Sequence, residues 1–379
     1  MSGRFLRLAC TAAVAAQAVL APGPALAAPD PERPVAELLT DLQGLYRQTE
    51  QATEAYNATE ERLRRQRAEV DRLDDELAES RLSLHSSKAE AGRLARQQYQ
   101  SVTGLSPYLR LLLARDPQHA LDEGHVIGQL ARERAHTVGR LVDDEERQTD
   151  LARKARKALD TRLALAEGQK KQRDQVQGRL SEVERMLASL TPAQLTALAD
   201  LERTNTADAQ RKLTASGALS ATTPPPSQEG DRAVRYAVRQ LGKPYQWGAQ
   251  GPTSYDCSGL TSQAWDHAGT PIPRTSQQQW ADLPHVPLNQ LRPGDLVVYF
   301  PEATHVALYL GDGRVVQAPR PGARIKVSPI AANPILGAVR PDPRSRPLGH
   351  YTPPVIPKAA TEGPDEGFGA LQPTAPTVT

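Results

Sequence analysis

After Pro34 the apolar positions recur every seven residues. Val35, Leu42, Thr49, Tyr56, Leu63, Val70, Leu77, Leu84 and Ala91 form one seam, and Leu38, Leu45, Ala52, Leu73 and Leu94 partly fill a second. Charge mixtures such as Glu60-Glu61-Arg62 and Asp74-Asp75-Glu76 lie between them, with no proline before Pro107. Sustained heptads with charged flanks predict a coiled coil. A charged disordered tract would not keep every seam position free of charge. From Ser101 to Ala120 the repeat breaks at Gly104, Pro107 and Pro117, around an apolar patch of Leu109, Leu111, Leu112, Leu113 and Ala114. A second proline-free stretch, from about Leu121 to Leu190, carries Leu159, Ala166, Val176, Leu180, Val183 and Leu187. Two long helices joined by a broken segment fold most simply as an antiparallel hairpin over residues 34–203. At 1.5 Å per residue each arm extends ~100 Å. Thr191-Pro192 opens a last short helix ending near Arg203. The patch at the break either closes the hairpin tip or is a docking surface.

Residues 204–230 turn to Ala, Thr, Ser and Pro, including Thr222-Thr223-Pro224-Pro225-Pro226, which predicts a flexible linker. Between 231 and 340 the pattern is mixed. Asp231 is placed to cap a helix carrying Ala233, Val234, Ala237 and Leu241 and ending at Gly242. Leu260, Ala264 and Trp265 share a face of a helix that begins after Asp256. Leu296 to Phe300 reads as a buried strand, and His305 to Leu310 turns at Gly311-Asp312-Gly313 into Arg314 to Ala318. Helix followed by antiparallel sheet is an α+β domain. Residues 341–379 return to Pro, Thr and Gly with few large apolar residues, which predicts a disordered tail.

Composition adds three points. Nine of the sixteen aromatics, including all three tryptophans, lie between Tyr236 and Tyr309, so the packed core belongs to 231–340. A net charge of +2 is too mild to argue for nucleic acid and leaves room for a weak attraction to an anionic surface such as a cell wall. Residues 1–27 read as an export signal, with Arg4 and Arg7, an apolar run from Leu8 to Leu20, and the small-x-small site Ala25-Leu26-Ala27. The expected location is therefore extracellular, at or near the cell wall. Cleavage there removes Cys10 and leaves Cys257 alone. A single cysteine in an exported chain is either an intermolecular link or a reactive thiol. One cysteine and scattered histidines give no metal-ligand spacing, so neither metal nor cofactor is expected.

A thiol attacks only as thiolate, and a helix N-terminus behind the sulfur with a histidine beside it lowers its pKa. The helix after Asp256 supplies the first device. Three histidines compete for the second. His267 lies at the far end of the same helix, ~15 Å away at 1.5 Å per residue, and His285 sits in a loop between Pro284 and Pro287. His305 opens a strand after a polar loop, where its ring can face a cleft. Gln317, on the returning strand, can hold that ring in one tautomer as the third member of a nucleophile–base–orienter set, or can simply face solvent. Asp256 reads equally as a helix cap or as a contact to substrate charge, and Ser258 shares the second reading.

Gly242-Lys243-Pro244-Tyr245-Gln246-Trp247-Gly248, Asp256-Cys257-Ser258-Gly259-Leu260, Pro273-Arg274-Thr275-Ser276, Pro293-Gly294-Asp295-Leu296 and His305-Val306-Ala307-Leu308-Tyr309-Leu310-Gly311 occur in this order. Together they resemble the NlpC-type cell-wall peptidases, a papain-like family, over less than a third of the chain. The resemblance implies a papain-like α+β fold, with Cys257 as nucleophile, His305 as general base and acid, and Gln317 as the third polar residue. The commonest pattern has a histidine at that third position; a neutral Gln still orients imidazole but stabilises the imidazolium less than a carboxylate would. Tyr245 is implied to line the site near the oxyanion or the substrate amine, and Arg274, Ser276 and Trp280 to line the cleft. The implied reaction is hydrolysis of the D-glutamyl–diamino acid bond in peptidoglycan stem peptides. The order of export signal, coiled coil and catalytic domain resembles hydrolases whose arm meets a membrane protein of the division machinery, or covers the cleft until a partner binds. A catalytically weak wall-associated scaffold and an amidase or acyltransferase on the same fold stay open as alternatives.

Overall fold

The computed structural model describes residues 33–101, 107–112, 116–220 and 222–361. Residues 1–27, expected to be an export signal, and the last part of the tail lie outside them. Helix α1 (Val35–Ser101) and helix α3 (Pro117–Ser189) run antiparallel, with short α2 (Pro107–Leu112) between them. The register follows from Gln66 against the Ala158 carbonyl, Ser83 and Ser87 against Asp144, and Arg140 against Glu90. The heptad seam of α1 is the buried one: Leu42, Thr49, Leu63, Val70, Leu77 and Leu84 all face inward. On α3 the seam differs from expectation. Leu159 is exposed, and Leu151 and Ala158 take the contact with Val70, Leu73 and Leu77. Among the described residues no helix is long and apolar enough to cross a membrane.

Helix α4 (Pro192–Ala215) corrects the expected end near Arg203 and much of the 204–230 linker. Thr191 caps it through a reciprocal box with Gln194, and the helix continues because its far half has a partner. Leu198 packs on Leu38 and Leu39 of α1, while Gln210 donates to the Gly313 carbonyl and accepts from the Ala331 amide of the following domain. Docking at both ends outweighs the weak helix propensity of Thr204, Asn205 and Thr206. Helix α5 (Gln228–Val238) starts four residues earlier than expected, capped by Ser227 and not by Asp231, which lies in its first turn.

Helix α6 (Cys257–His267), helix α7 (Ser276–Asp282) and a six-stranded antiparallel sheet complete the domain. The strands are β1 (His285–Val286), β2 (Leu296–Tyr299), β3 (His305–Gly311), β4 (Arg314–Gln317), β5 (Lys326–Pro329) and β6 (Ile335–Val339), in spatial order β1-β6-β2-β3-β4-β5. The α+β expectation holds. Every residue of β3 is buried, because both sheet faces are covered. One face packs Val306, Leu308 and Val316 against Ala233, Leu260 and Trp265 of α5 and α6; the other gathers Val297, Tyr299, Ala307 and Val315. The segment after 340 is also a correction: Asp342 pairs with Arg292 at 2.9 Å and takes the Ser227 hydroxyl, and Leu348 donates to the Pro226 carbonyl. Composition alone misses a segment that closes over a neighbour's core.

Trp265, fully buried, donates from Nε1 to the Gly294 carbonyl at 3.1 Å. Gly294 itself sits at φ +102°, and an added Cβ would lie 2.7 Å from Cα of Gly230. Both constraints require glycine there. Gly294→Ala should destabilise the domain by about 2–4 kcal/mol through combined backbone strain and overpacking. Denaturant unfolding followed by tryptophan fluorescence checks this; an unchanged midpoint would show that α5 can move aside.

Candidate active site

Cys257 is the first residue of α6. Asp256 caps that helix, its side chain accepting from the Gly259 amide at 2.6 Å, which fixes the sulfur at the positive end of the helix. Gly259 is required by close approach, since a Cβ there would lie 2.2 Å from the Ala249 carbonyl oxygen. Asp256 also forms a buried pair with Arg274, at 2.7 and 3.1 Å, and Arg274 donates to the Ser258 hydroxyl at 2.8 Å. The cap reading of Asp256 is met, and its charge is already spoken for by Arg274.

His305 enters β3 from a turn in which Phe300 and Ala303 hold φ of 63° and 51°. Non-glycine residues adopt this region at a cost, and here they aim the strand entry. The His305 ring reaches Gln317 with Nε2 2.8 Å from Oε1. The Gln317 amide nitrogen donates to the Ser328 hydroxyl at 2.8 Å, which leaves its oxygen to accept from the ring. The proton therefore rests on Nε2, and Nδ1 is the basic position. His267 stacks on Tyr236 and His285 on Trp280, both away from this cluster. Trp280 is thereby committed to packing on β6 beside Gly337, not to the cleft. Tyr245 is buried with its hydroxyl unpartnered among the described residues. Burial, with Cys257 and Asp256 next, raises its pKa well above the usual range, so that hydroxyl stays a donor.

The cleft is filled by α1. Glu54 accepts from the Ser258 hydroxyl at 2.7 Å and from the Ser276 amide at 2.8 Å, and its Oε1 lies 3.8 Å from the Cys257 sulfur. One turn earlier, the Glu50 carboxylate stands 3.1 Å from His305 Nδ1, close for an ion pair though poorly angled for a hydrogen bond. Asn57 donates to Asp256 at 3.0 Å, and Tyr56 meets Trp247 edge to face with ring centroids 5.1 Å apart. Burial raises the Cys257 thiol well above its usual range, and Glu54, Asp256 and Glu50 push it further. With the arm docked, the sulfur is both covered and kept protonated. Burial and then Asp256 raise Glu54 to about 7. For His305, burial lowers the pKa, but Glu50, Gln317 and Glu54 together outweigh it and the net direction is up.

The structure thus gathers Cys257, His305, Gln317, Tyr245, Asp256, Ser258, Arg274 and Ser276 around one cleft. Glu50, Glu54 and Asn57 escape a heptad reading, which treats polar positions of a helix as solvated. A signal was present: the second seam, leucine at 38, 45 and 73, thins to Ala52 and Thr59 over this stretch.

A family model described as NlpC/P60 matches residues 242–337. A probable endopeptidase of Corynebacterium glutamicum is 45% identical over 101 residues, 27% of this chain and 48% of that protein, so the chain spans about half the length of that relative. A probable endopeptidase of Mycobacterium bovis is 28% identical over 348 residues, covering 81% of this chain and 90% of that one. Among solved structures, the NlpC/p60 domain of the peptidoglycan hydrolase SagA is 31% identical, covers 29% of this chain and 97% of its own, and has a TM-score of 0.28.

Glu54 and His305 together give arm docking a sign with pH. In the docked state Glu54 holds its proton up to about 7; freed into water it returns to the ordinary carboxylate range. The docked form therefore binds more protons, and docking gains stability that is complete below the ordinary value and lost as pH rises through about 7. His305, also raised, acts in the same direction. A fluorescence-transfer pair on the hairpin and the domain should report opening as pH climbs from 5 to 8, by on the order of a hundredfold in the equilibrium. Glu54→Gln should flatten the curve, and a curve unchanged by that substitution would refute this origin.

Proposed function

With residues 242–337 an NlpC/P60 domain, we propose that the protein is a secreted cysteine endopeptidase of peptidoglycan stem peptides, cleaving after a D-glutamyl residue, and that its helical arm restrains it. The observation that carries this reading is Glu54. An acidic side chain lies on the nucleophile, held by the Ser258 hydroxyl and the Ser276 amide. Those groups form a carboxylate dock beside a thiol, which suits a substrate with a free carboxylate next to its scissile bond.

In this mechanism the arm withdraws, and Glu54 and Glu50 leave the cleft. Without them the helix terminus and His305 draw the Cys257 proton onto Nδ1. The thiolate attacks the scissile carbonyl carbon, and the oxyanion is held by the Cys257 backbone N–H, one of the free donors at the start of α6, with the Tyr245 hydroxyl as second donor. His305 passes its proton to the leaving amine as the C–N bond breaks and a thioester forms. Water, losing a proton to His305, then releases the acid and restores the thiol. Gln317 keeps the ring in this tautomer throughout.

Mature full-length chain incubated with a defined stem peptide, with products read by mass spectrometry, tests the proposal. Cys257→Ala should abolish cleavage. Glu50→Ala combined with Glu54→Ala should raise it at least tenfold, because the two side chains that hold the arm on the catalytic pair are gone. Cleavage surviving Cys257→Ala would overturn the cysteine mechanism. Cleavage lost in the double variant would show that the two carboxylates serve catalysis and not restraint.

A further inference from the structure

The docked face of α1 meets the domain at regular steps. Asn57 lies on Asp256, Glu54 on Cys257 and Ser258, Glu50 on His305, and the Tyr46 ring under the Arg320 guanidinium at 4.7 Å. On a helix rising 1.5 Å per residue, Arg320 therefore stands about 12 Å along the groove from the Glu54 dock, beyond His305. Arg320 is buried and grips Glu202 of α4 through two 2.9 Å bonds. A cavity of ≈ 810 Å³ opens at this point, lined by Tyr46, Glu50, Glu202, Phe300, Arg320 and Ile335. Glu50 links it directly to the catalytic histidine.

We propose that Arg320 is a specificity residue that takes a carboxylate of the leaving fragment, and that Glu202 occupies its place while the arm is closed. The inference rests on the peptidase reading above. Three carboxylates of the helical region sit on three polar groups of the domain, and two of those groups are the nucleophile's dock and the base. The third belongs to the same groove. Direction agrees: His305 hands its proton to the leaving amine, so the leaving fragment runs from the sulfur past His305 toward Arg320. Length agrees as well. An extended peptide rises ~3.3 Å per residue, so 12 Å corresponds to three or four residues from the Glu54 dock, or about two beyond the scissile bond. A planar guanidinium held in a fork geometry distinguishes a carboxylate from a carboxamide. The ligand is thus an extended acidic peptide with a free carboxylate a short way past the cut.

The test uses two full-length chains with the arm loosened by Glu54→Ala and the latch removed by Glu202→Gln, one of them also carrying Arg320→Gln. Neither has the Arg320–Glu202 pair, and the quantity compared is the acid-to-amide ratio within each chain, which a change in arm docking through the Tyr46 stack does not alter. Each is given one stem peptide ending as the free acid and the same peptide ending as the amide. The chain that keeps Arg320 should favour the acid by about tenfold or more, through KM and not kcat, and the Arg320→Gln chain should show no preference. Calorimetric binding of both peptides to the same two chains carrying Cys257→Ala gives a readout independent of turnover. Equal acid-to-amide ratios in the two chains, or no binding of the acid to the Arg320 chain, would overturn the inference. An Arg320-dependent preference in binding without cleavage by the parent chains would count against the peptidase reading alone. Should Arg320→Gln fail to fold, Arg320→Lys, which keeps charge but loses the fork, should still lower the preference, and an unchanged preference would refute the assignment.

Discussion

Two buried carboxylates govern this molecule. Glu50 and Glu54 leave water to sit on a histidine and a thiol, and burying an uncompensated carboxylate is costly. The cost is offset by the Ser258 hydroxyl, the Ser276 amide and the His305 ring, and by the upward shift that lets Glu54 hold a proton. Each of these compensations also occupies a group of the site. The serine and amide are withdrawn from any incoming acid, the histidine faces a carboxylate, and the thiol is kept from ionising. The long hairpin serves to hold those two side chains in register, with α3 stiffening α1 and α4 bridging α1 to the sheet domain.

A polar plug has a consequence that an apolar one lacks. Large apolar contacts between arm and domain would be recovered only by exposing that surface to water, a cost of roughly 25 cal/mol per Å². Carboxylates regain their hydration on leaving, so the open and closed forms lie closer in free energy. Tethering in one chain raises the arm's effective concentration at the cleft, and modest contacts then suffice to keep it seated. The Arg320–Glu202 pair and the Tyr46 stack add a second hold, one to two turns from the first along α1.

Much of this fold was legible in the sequence, for identifiable reasons. A seven-residue period sustained from Leu42 to Leu84 names the buried stripe of α1 whatever lies opposite it. Cysteine at a helix start, histidine at a strand start and glutamine on the returning strand were readable because turn and cap residues fix those elements locally. What the period does not reveal is a second buried face. Glu50, Glu54 and Asn57 look like solvent coat until a partner surface is known. The end of α4 and the docked segment after Pro341 fail in the same way, since Gln210 and Asp342 are stabilised by groups far away in sequence. Local composition describes a segment alone, and these segments are ordered by what they touch.

The neutral third residue fits the electrostatics of the cleft. Asp256 and Arg274 cancel as a pair whether or not the arm is seated, and Arg320, farther along the groove, carries a positive charge. A carboxylate in place of Gln317 would stabilise the imidazolium but add a fixed negative charge beside a thiolate and an acidic peptide. Like charges in a buried site repel strongly, because little solvent screens them. Gln317 orients the ring through one oxygen, is itself oriented by Ser328, and contributes no net charge. The cleft therefore keeps a cationic bias. That bias suits the glutamates the arm places there, and on the proposed reading it suits the carboxylates of a peptide substrate equally.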